Sequence, residues 1–195
     1  MRYRTRTKIF KLRYSLAIGN LFTNLRFHWH TMERSTIILI SAAFIIIFSA
    51  ISILYKAAME KIESREIHCL ALNIYHEARG EPLSGRYAVA EVTMNRVKSP
   101  LYPNDVCRVV YQRVWDTKRK KLIGAFSWTA ERAKPNINRT SWLDSVAIAK
   151  QIYYGETKTP AHLKDALYYH ADYVKPNWAS DKVKLTKIGR HIFYK

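Results

Sequence analysis

No charged residue occurs between Arg34 and Lys56. The uncharged window, STIILISAAFIIIFSAISILY from Ser35 to Tyr55, is rich in Ile. About 20 apolar residues rising ~1.5 Å each match the ~30 Å hydrocarbon core of a bilayer, whereas a buried core helix is usually shorter and polar along one face. The run predicts a transmembrane helix over 35–55. It is longer than the roughly 7–15 residues of a signal-peptide core and starts far from Met1, which favours a retained signal anchor; Ala57-Ala58 leave cleavage open as the other reading.

Other absences narrow the field. The chain has no internal repeat, no long Gly/Ser linker and no low-complexity tract, and no alternating βαβ pattern. It has two cysteines, Cys69 and Cys107, and neither sits in a Cys-x-x-Cys that would suggest a metal site. In an oxidising compartment the even pair reads as a disulfide, with two unrelated buried thiols as the alternative. Acidic residues are scarce: 15 Asp/Glu against 33 Lys/Arg give a formal net charge of +18. Of this, +7 lies in residues 1–35 and +11 beyond them. The basic N-terminal flank favours an orientation with the N-terminus inside and the rest outside. The stretch MRYRTRTKIFKLRY fits either a segment lying on anionic headgroups or a disordered basic tail.

These features divide the chain into a basic cytoplasmic segment over 1–34, an anchor over 35–55, a charged helical spacer over 56–65, and one domain over 66–195. About 130 residues can bury around two-thirds of their unfolded surface, enough for one core. Ile67, Leu70, Ala71, Ile74 and Ala78 recur at spacings of three and four and predict a helix over 66–79, ended by Gly80 and Pro82. A second helix is expected over SGRYAVAEVTMNRVKS with Ser84 as its N-cap, and a short one after a turn at Pro103-Asn104. A further helix is expected through Tyr154, capped by Thr140 or Ser141 and closed by Gly155. DALYYHA reads as strand or extended loop. The expected class is α+β, predominantly helical.

Within CLALNIYHEARGEP, residues 69–82, the pair His76-Glu77 begins like a zinc-protease signature, but the second His would fall at Gly80. Two ligands one helical turn apart are therefore missing, and no metal or other cofactor is expected. There is no Gly-x-Ser-x-Gly for nucleophilic serine chemistry. At about 100° per residue, Glu77 projects roughly 80° from Ile67, at the border of the buried stripe. A carboxyl there is partly desolvated, which raises its pKa and suits a general acid. The alternative is an ordinary surface Glu paired with Arg79 or Arg86.

The segment ALNIYHEARGEPLSGRYAVAEVTMNRV resembles the signature of the cell wall hydrolase family that includes bacterial spore cortex-lytic enzymes. The resemblance continues through YPNDVCRVVYQ, AFSWT, DALYYHADYVKPNWA and KIGRHIFYK, and so covers nearly all of Cys69 to Lys195. It implies a small lysozyme-like domain acting on peptidoglycan glycan strands, with Glu77 as the catalytic glutamate. Two departures stand out: Ala125 occupies a position where the family usually has Gln before Phe-Ser, and the loop RVWDTKRKKLIG is unusually basic.

The expected reaction is cleavage of the β-1,4 bond between N-acetylmuramic acid and N-acetylglucosamine, with Glu77 first as acid and then as base. The muramic 6-hydroxyl would attack the anomeric carbon and leave a 1,6-anhydro end. Glu81 is the rival carboxylate, but Gly80 and Pro82 turn the chain, so it is expected to fix the loop through backbone amides or Arg. Ser127 is a candidate for orienting the acid or a sugar hydroxyl. Asn95 is read as a sugar-amide contact or an interhelical bond. Phe126 and Trp128 are expected in a cleft wall, with core packing as the alternative. Tyr169, His170 and Trp178 offer flat faces for sugar rings, and His191 reads as structural. The expected partners are glycan strands and, through residues 35–55, the membrane, with the domain on the extracytoplasmic side. Nucleic acid is not expected, and the oligomeric state is left open. A hydrolytic muramidase, a non-catalytic peptidoglycan-binding module and a basic nucleic-acid-binding membrane protein remain the competing readings.

Overall fold

A computed structural model describes residues 33–116, 120–130, 137–157 and 160–195. The basic segment before Glu33, with its two readings, lies outside the described residues. The chain divides into two compact units, Met1–Ala58 and Met59–Lys195. The first helix, α1, is continuous over Arg34–Ala78 and takes in the expected anchor, spacer and motif helix.

In the first unit α1 presents its apolar side chains outward: Ile38, Phe44, Ile45, Phe48 and Leu54 are all exposed. It is long and apolar enough to cross a membrane. Ser49 and Ser52 donate their hydroxyls to the carbonyls of Ile45 and Phe48, at 2.7 and 2.8 Å, so these two hydroxyls are satisfied within the helix.

In the second unit the motif part of α1 turns apolar on one face and packs inward. Gly80 and Pro82 end it, with the Glu81 amide bonded to the Ala78 carbonyl at 2.9 Å. The next helix, α2 (Leu83–Lys98), takes Pro82 as its N-cap. Ser84 therefore lies inside the first turn and is not the cap. Proline has no N–H to lose, and its carbonyl accepts from Gly85 and Arg86. Helix α3 (Val106–Val110) is capped by Asp105, whose side chain accepts from the Arg108 amide. Helix α4 (Arg139–Tyr153) is capped by Asn138, which accepts from Ser141, so neither Thr140 nor Ser141 is the cap. Gly155 follows its end at φ +69°.

Strands β1 (Arg113–Asp116) and β2 (Lys121–Gly124) form an antiparallel hairpin inside the basic loop. Strands β3 (Tyr168–Ala171), β4 (Lys184–Ile188) and β5 (His191–Tyr194) form an antiparallel sheet in the order β3-β5-β4. The β4–β5 turn needs Gly189: its φ is +57°, and a Cβ there would run into the Glu81 carboxylate and Pro82. The architecture is mostly helical with some sheet, as the periodicities predict.

Helix α2 runs through the centre, and both hydrophobic clusters use it. One joins α1, α2, α3 and α4 through Leu70, Ile74, Ala90, Val110 and Ile148. The other joins α2 to the sheet through Ala88, Val92, Leu163 and Phe193. Cys69 and Cys107 are disulfide-bonded, tying α1 to α3. Beside them the buried Glu66 carboxylate accepts from the amides of Val106 and Cys107, the second at 3.2 Å. An acid at the first turn of α3 satisfies amides that have no partner within that helix.

Candidate active site

Asn73 and Glu77 stand one helical turn apart on α1 and face the same way. Asn73 is fully buried, and its side chain is a junction. Its Nδ2 donates to Thr93 Oγ1 of α2 at 3.1 Å, and its Oδ1 accepts from Trp128 Nε1 at 3.3 Å. The Asn73 side chain also acts on the Tyr169 hydroxyl, opposing the rise that burial gives its pKa. That hydroxyl in turn donates to Glu77 Oε2 at 3.3 Å. A chain of buried polar groups thus fixes one oxygen of the glutamate from behind.

Burial raises the Glu77 pKa above that of an ordinary carboxyl; the Tyr169 bond and the positive charge of Arg96 oppose the rise without cancelling it. Tyr169 is itself pushed well above the usual phenol range, first by burial and then by the neighbouring carboxylate, so it remains a donor. Arg96 is held by its Nε bond to the Leu167 carbonyl at 2.8 Å and lies 5.4 Å from the centres of both the Phe126 and Tyr102 rings. The charge that bears on Glu77 is therefore a cation, not a second carboxylate.

Trp128 stacks on His76 with centroids 4.5 Å apart and planes 11° from parallel, and Tyr111 meets its edge at 5.8 Å. The bond from Trp128 Nε1 to Asn73 ties this group of rings to the polar network that reaches Glu77. Phe126 is buried in the core, while the exposed Ser127 lines a groove with Tyr111, Arg113 and Lys121, and no hydrogen bond joins it to Glu77.

The remaining expected site residues have other duties. Glu81 is buried and accepts from the Arg190 amide at 2.8 Å and from its Nε at 2.9 Å. Burial alone would raise its pKa, but the Arg190 amide and guanidinium outweigh it and hold Glu81 below the usual carboxylate range. It anchors the β4–β5 turn, the loop-fixing role read from Gly80 and Pro82. Asn95 donates to the carbonyls of Leu163 and Ala166 at 2.9 and 3.1 Å, so its amide protons are committed to the main chain. His170 stacks on Tyr194, bonds its hydroxyl through Nε2 at 2.8 Å, and meets Trp178 edge-on. Successive strand residues point to opposite faces, so His170 and Trp178 lie across the sheet from Tyr169 and Glu77. His191 is buried with its ring edge against Tyr169, 5.2 Å between centroids. No group of three or more His, Cys, Asp or Glu side chains placed to hold a metal ion occurs among the described residues.

Sequence reasoning missed Asn73, Thr93 and Arg96. Asn73 carried a signal, since it sits four residues before Glu77 on the same helix face. Arg96 and Arg190 carried none, because long-range contacts bring them to their carboxylates.

A sequence profile for the family described as Cell Wall Hydrolase matches residues 80–194. The chain belongs to the cell wall hydrolase family. The match begins just past Glu77, which lies outside it. The spore cortex-lytic enzyme of Bacillus subtilis (strain 168) is 32% identical over 135 residues, which is 67% of this chain and 37% of that protein. The spore cortex-lytic enzyme of Oceanobacillus iheyensis is 30% identical over 131 residues, 67% of this chain and 41% of that protein. The chain thus matches well under half the length of these relatives. Among solved structures, the catalytic domain of the germination-specific lytic transglycosylase SleB from Bacillus anthracis aligns with a TM-score of 0.50 and 30% identity, covering 67% of this chain and 93% of that one. Family membership rests on the region after the long apolar run, and the relatives' remaining length has no counterpart in the match.

Proposed function

We propose that the protein is a membrane-anchored peptidoglycan-degrading enzyme that cleaves the β-1,4 bond between N-acetylmuramic acid and N-acetylglucosamine as a lytic transglycosylase. The observation that carries this reading is a single shielded carboxyl, Glu77, with its pKa raised by burial and one oxygen held by Tyr169.

Because Tyr169 donates to Oε2, the proton of the neutral acid sits on Oε1, the oxygen left to donate to a glycosidic oxygen. Protonation lets the bond break toward an oxocarbenium-like centre. Donation leaves a carboxylate, which the Tyr169 bond and the Arg96 charge stabilise. That carboxylate then takes the proton of the muramic 6-hydroxyl as its oxygen closes on the anomeric carbon, giving the 1,6-anhydro end and restoring the acid. A hydrolytic route normally calls on a second carboxylate to activate water. The nearest candidate in sequence, Glu81, is engaged with Arg190, which favours the intramolecular nucleophile.

The anchor reading places residues 35–55 across the cytoplasmic membrane with the basic N-terminus inside and the domain on the extracytoplasmic side. Polyanionic wall polymers are the natural partner of a domain with this excess of cations.

Digestion of purified sacculi by the full chain in detergent tests the reading. Soluble muropeptides should appear with masses lower by one water than hydrolysed ends. Glu77→Gln should slow their release by about a thousandfold, the scale of a lost general acid. Products at the hydrated mass would assign a water nucleophile, and binding to sacculi without release would assign a binding module.

A further inference from the structure

On α2 the residues Ser84, Tyr87 and Glu91 recur at spacings of three and four and form one stripe. Thr93 and Arg96, which serve the Glu77 site, lie roughly 160° and 140° away around the same helix. The stripe therefore faces away from the Glu77 site. It opens on a cavity of about 450 Å³ whose other walls include Ile152, Leu163 and Ile188. This volume falls within the range of small-ligand pockets.

The polar side chains lining this cavity are Ser84, Tyr87, Glu91, Thr157 and His162. Glu91 is 4% exposed, yet no hydrogen bond or ion pair reaches its carboxylate among the described residues. Thr157 also lines the cavity, and its buried hydroxyl has no hydrogen-bond partner among the described residues. Tyr87 does not meet this need, because its hydroxyl is bonded to Gln151. The Glu91 oxygens are not among the buried unpartnered polar atoms, so the carboxylate opens on the cavity and is within reach of a ligand there. The missing complement is a cation that donates hydrogen bonds, attached to a body that the Ile and Leu walls can cover.

We propose that this cavity is a second binding site, separate from the Glu77 site, that takes an aliphatic primary ammonium with its charge on Glu91 and its methylenes against Ile152, Leu163 and Ile188. Two sources carry this chemistry: a free small amine, and the uncrosslinked side-chain amine of the diamino acid in a peptidoglycan stem peptide. The second source rests on the wall-cleaving function proposed above; the site itself does not.

Calorimetric titration of the full chain in detergent tests the site without reading cleavage. The probes are butylammonium, Nα-acetyl-lysine methylamide and the same lysine derivative acetylated on Nε. The two amines should saturate a single site near ~1 mM, as expected for so few contacting atoms. Acetylation of Nε, or the variant Glu91→Gln, should weaken binding by about tenfold or more, the effect of removing a charged hydrogen bond. Glu77→Gln should bind as the native chain does, which separates failure of the catalytic reading from failure of this one. Ser84→Trp, which fills the exposed rim, provides a second variant should Glu91→Gln not fold, and it should abolish binding. Equal binding of free and acetylated amines, absence of a saturable site, or insensitivity to both cavity variants would overturn the proposal. A stem peptide with a free diamino-acid amine that binds about tenfold more tightly than butylammonium would identify the wall as the source, and equal affinity would identify a small amine.

Discussion

The Tyr169 hydroxyl donates to one oxygen of Glu77, so its removal has a definite sign. That bond favours the charged carboxylate and lowers a pKa that burial has raised. Tyr169→Phe should therefore push the Glu77 pKa higher still. The alkaline limb of the rate profile, where the acid loses its proton, should move to higher pH. The rate at the optimum should fall by about tenfold, because the departing carboxylate loses a hydrogen bond of ~1–2 kcal/mol. Rates of muropeptide release across pH check both effects, and an unmoved limb would show that Tyr169 does not hold the acid. Glu81 has the opposite sign. Its depressed pKa contributes stability above the unfolded carboxylate value of about 4.3, and that contribution is lost as pH falls through the lower folded value. Glu81→Gln should cost about 2 kcal/mol at neutral pH through its weakened bonds to Arg190. The deficit in melting temperature should shrink as the medium is acidified toward the range where native Glu81 is itself protonated.

At the scale of elements, the segment from Cys69 to Cys107 decides where Glu77 stands. The disulfide closes a sequence separation of 38 residues, and Glu66 lies next to it against the first turn of α3. In the chain-entropy picture such a loop is worth about 4 kcal/mol at 25 °C. Replacing both cysteines with Ser should lower stability by roughly 2–4 kcal/mol, read as the shift in thermal midpoint. Reducing agent should destabilise the native chain and leave the Ser variant unaffected. The helices were legible because each buries one face at a period near 3.6. Their caps were less so: Pro82 and Asn138 lie outside the Ser84 and Thr140–Ser141 candidates, since several cap-forming residues adjoin each start and only the path of the preceding loop selects one. The β1–β2 and β4–β5 pairings were not legible because short strands such as KLIG and HIFY lack a long alternating pattern.

For the whole molecule, the uncharged run and the basic excess make separable predictions. If residues 35–55 span the bilayer, the full chain should stay in the membrane pellet through a 1 M salt wash and require detergent for release. Attachment by bases alone would be released, since at 1 M the screening length is about 3 Å. Sedimentation after salt, then after detergent, distinguishes the two.

The linear sequence by itself determined the apolar span, the helical class, the family and the candidate acid, because each is written in local composition, in a period or in a contiguous motif. Tertiary structure alone decided which neighbours that acid would have. Tyr169 reaches Glu77 across 92 positions and Arg190 reaches Glu81 across 109. It also sent Asn95 to the main chain and His170 to the far side of the sheet. Contacts of that range follow from how the helices and sheet pack around α2, and a pattern confined to one segment holds no record of them.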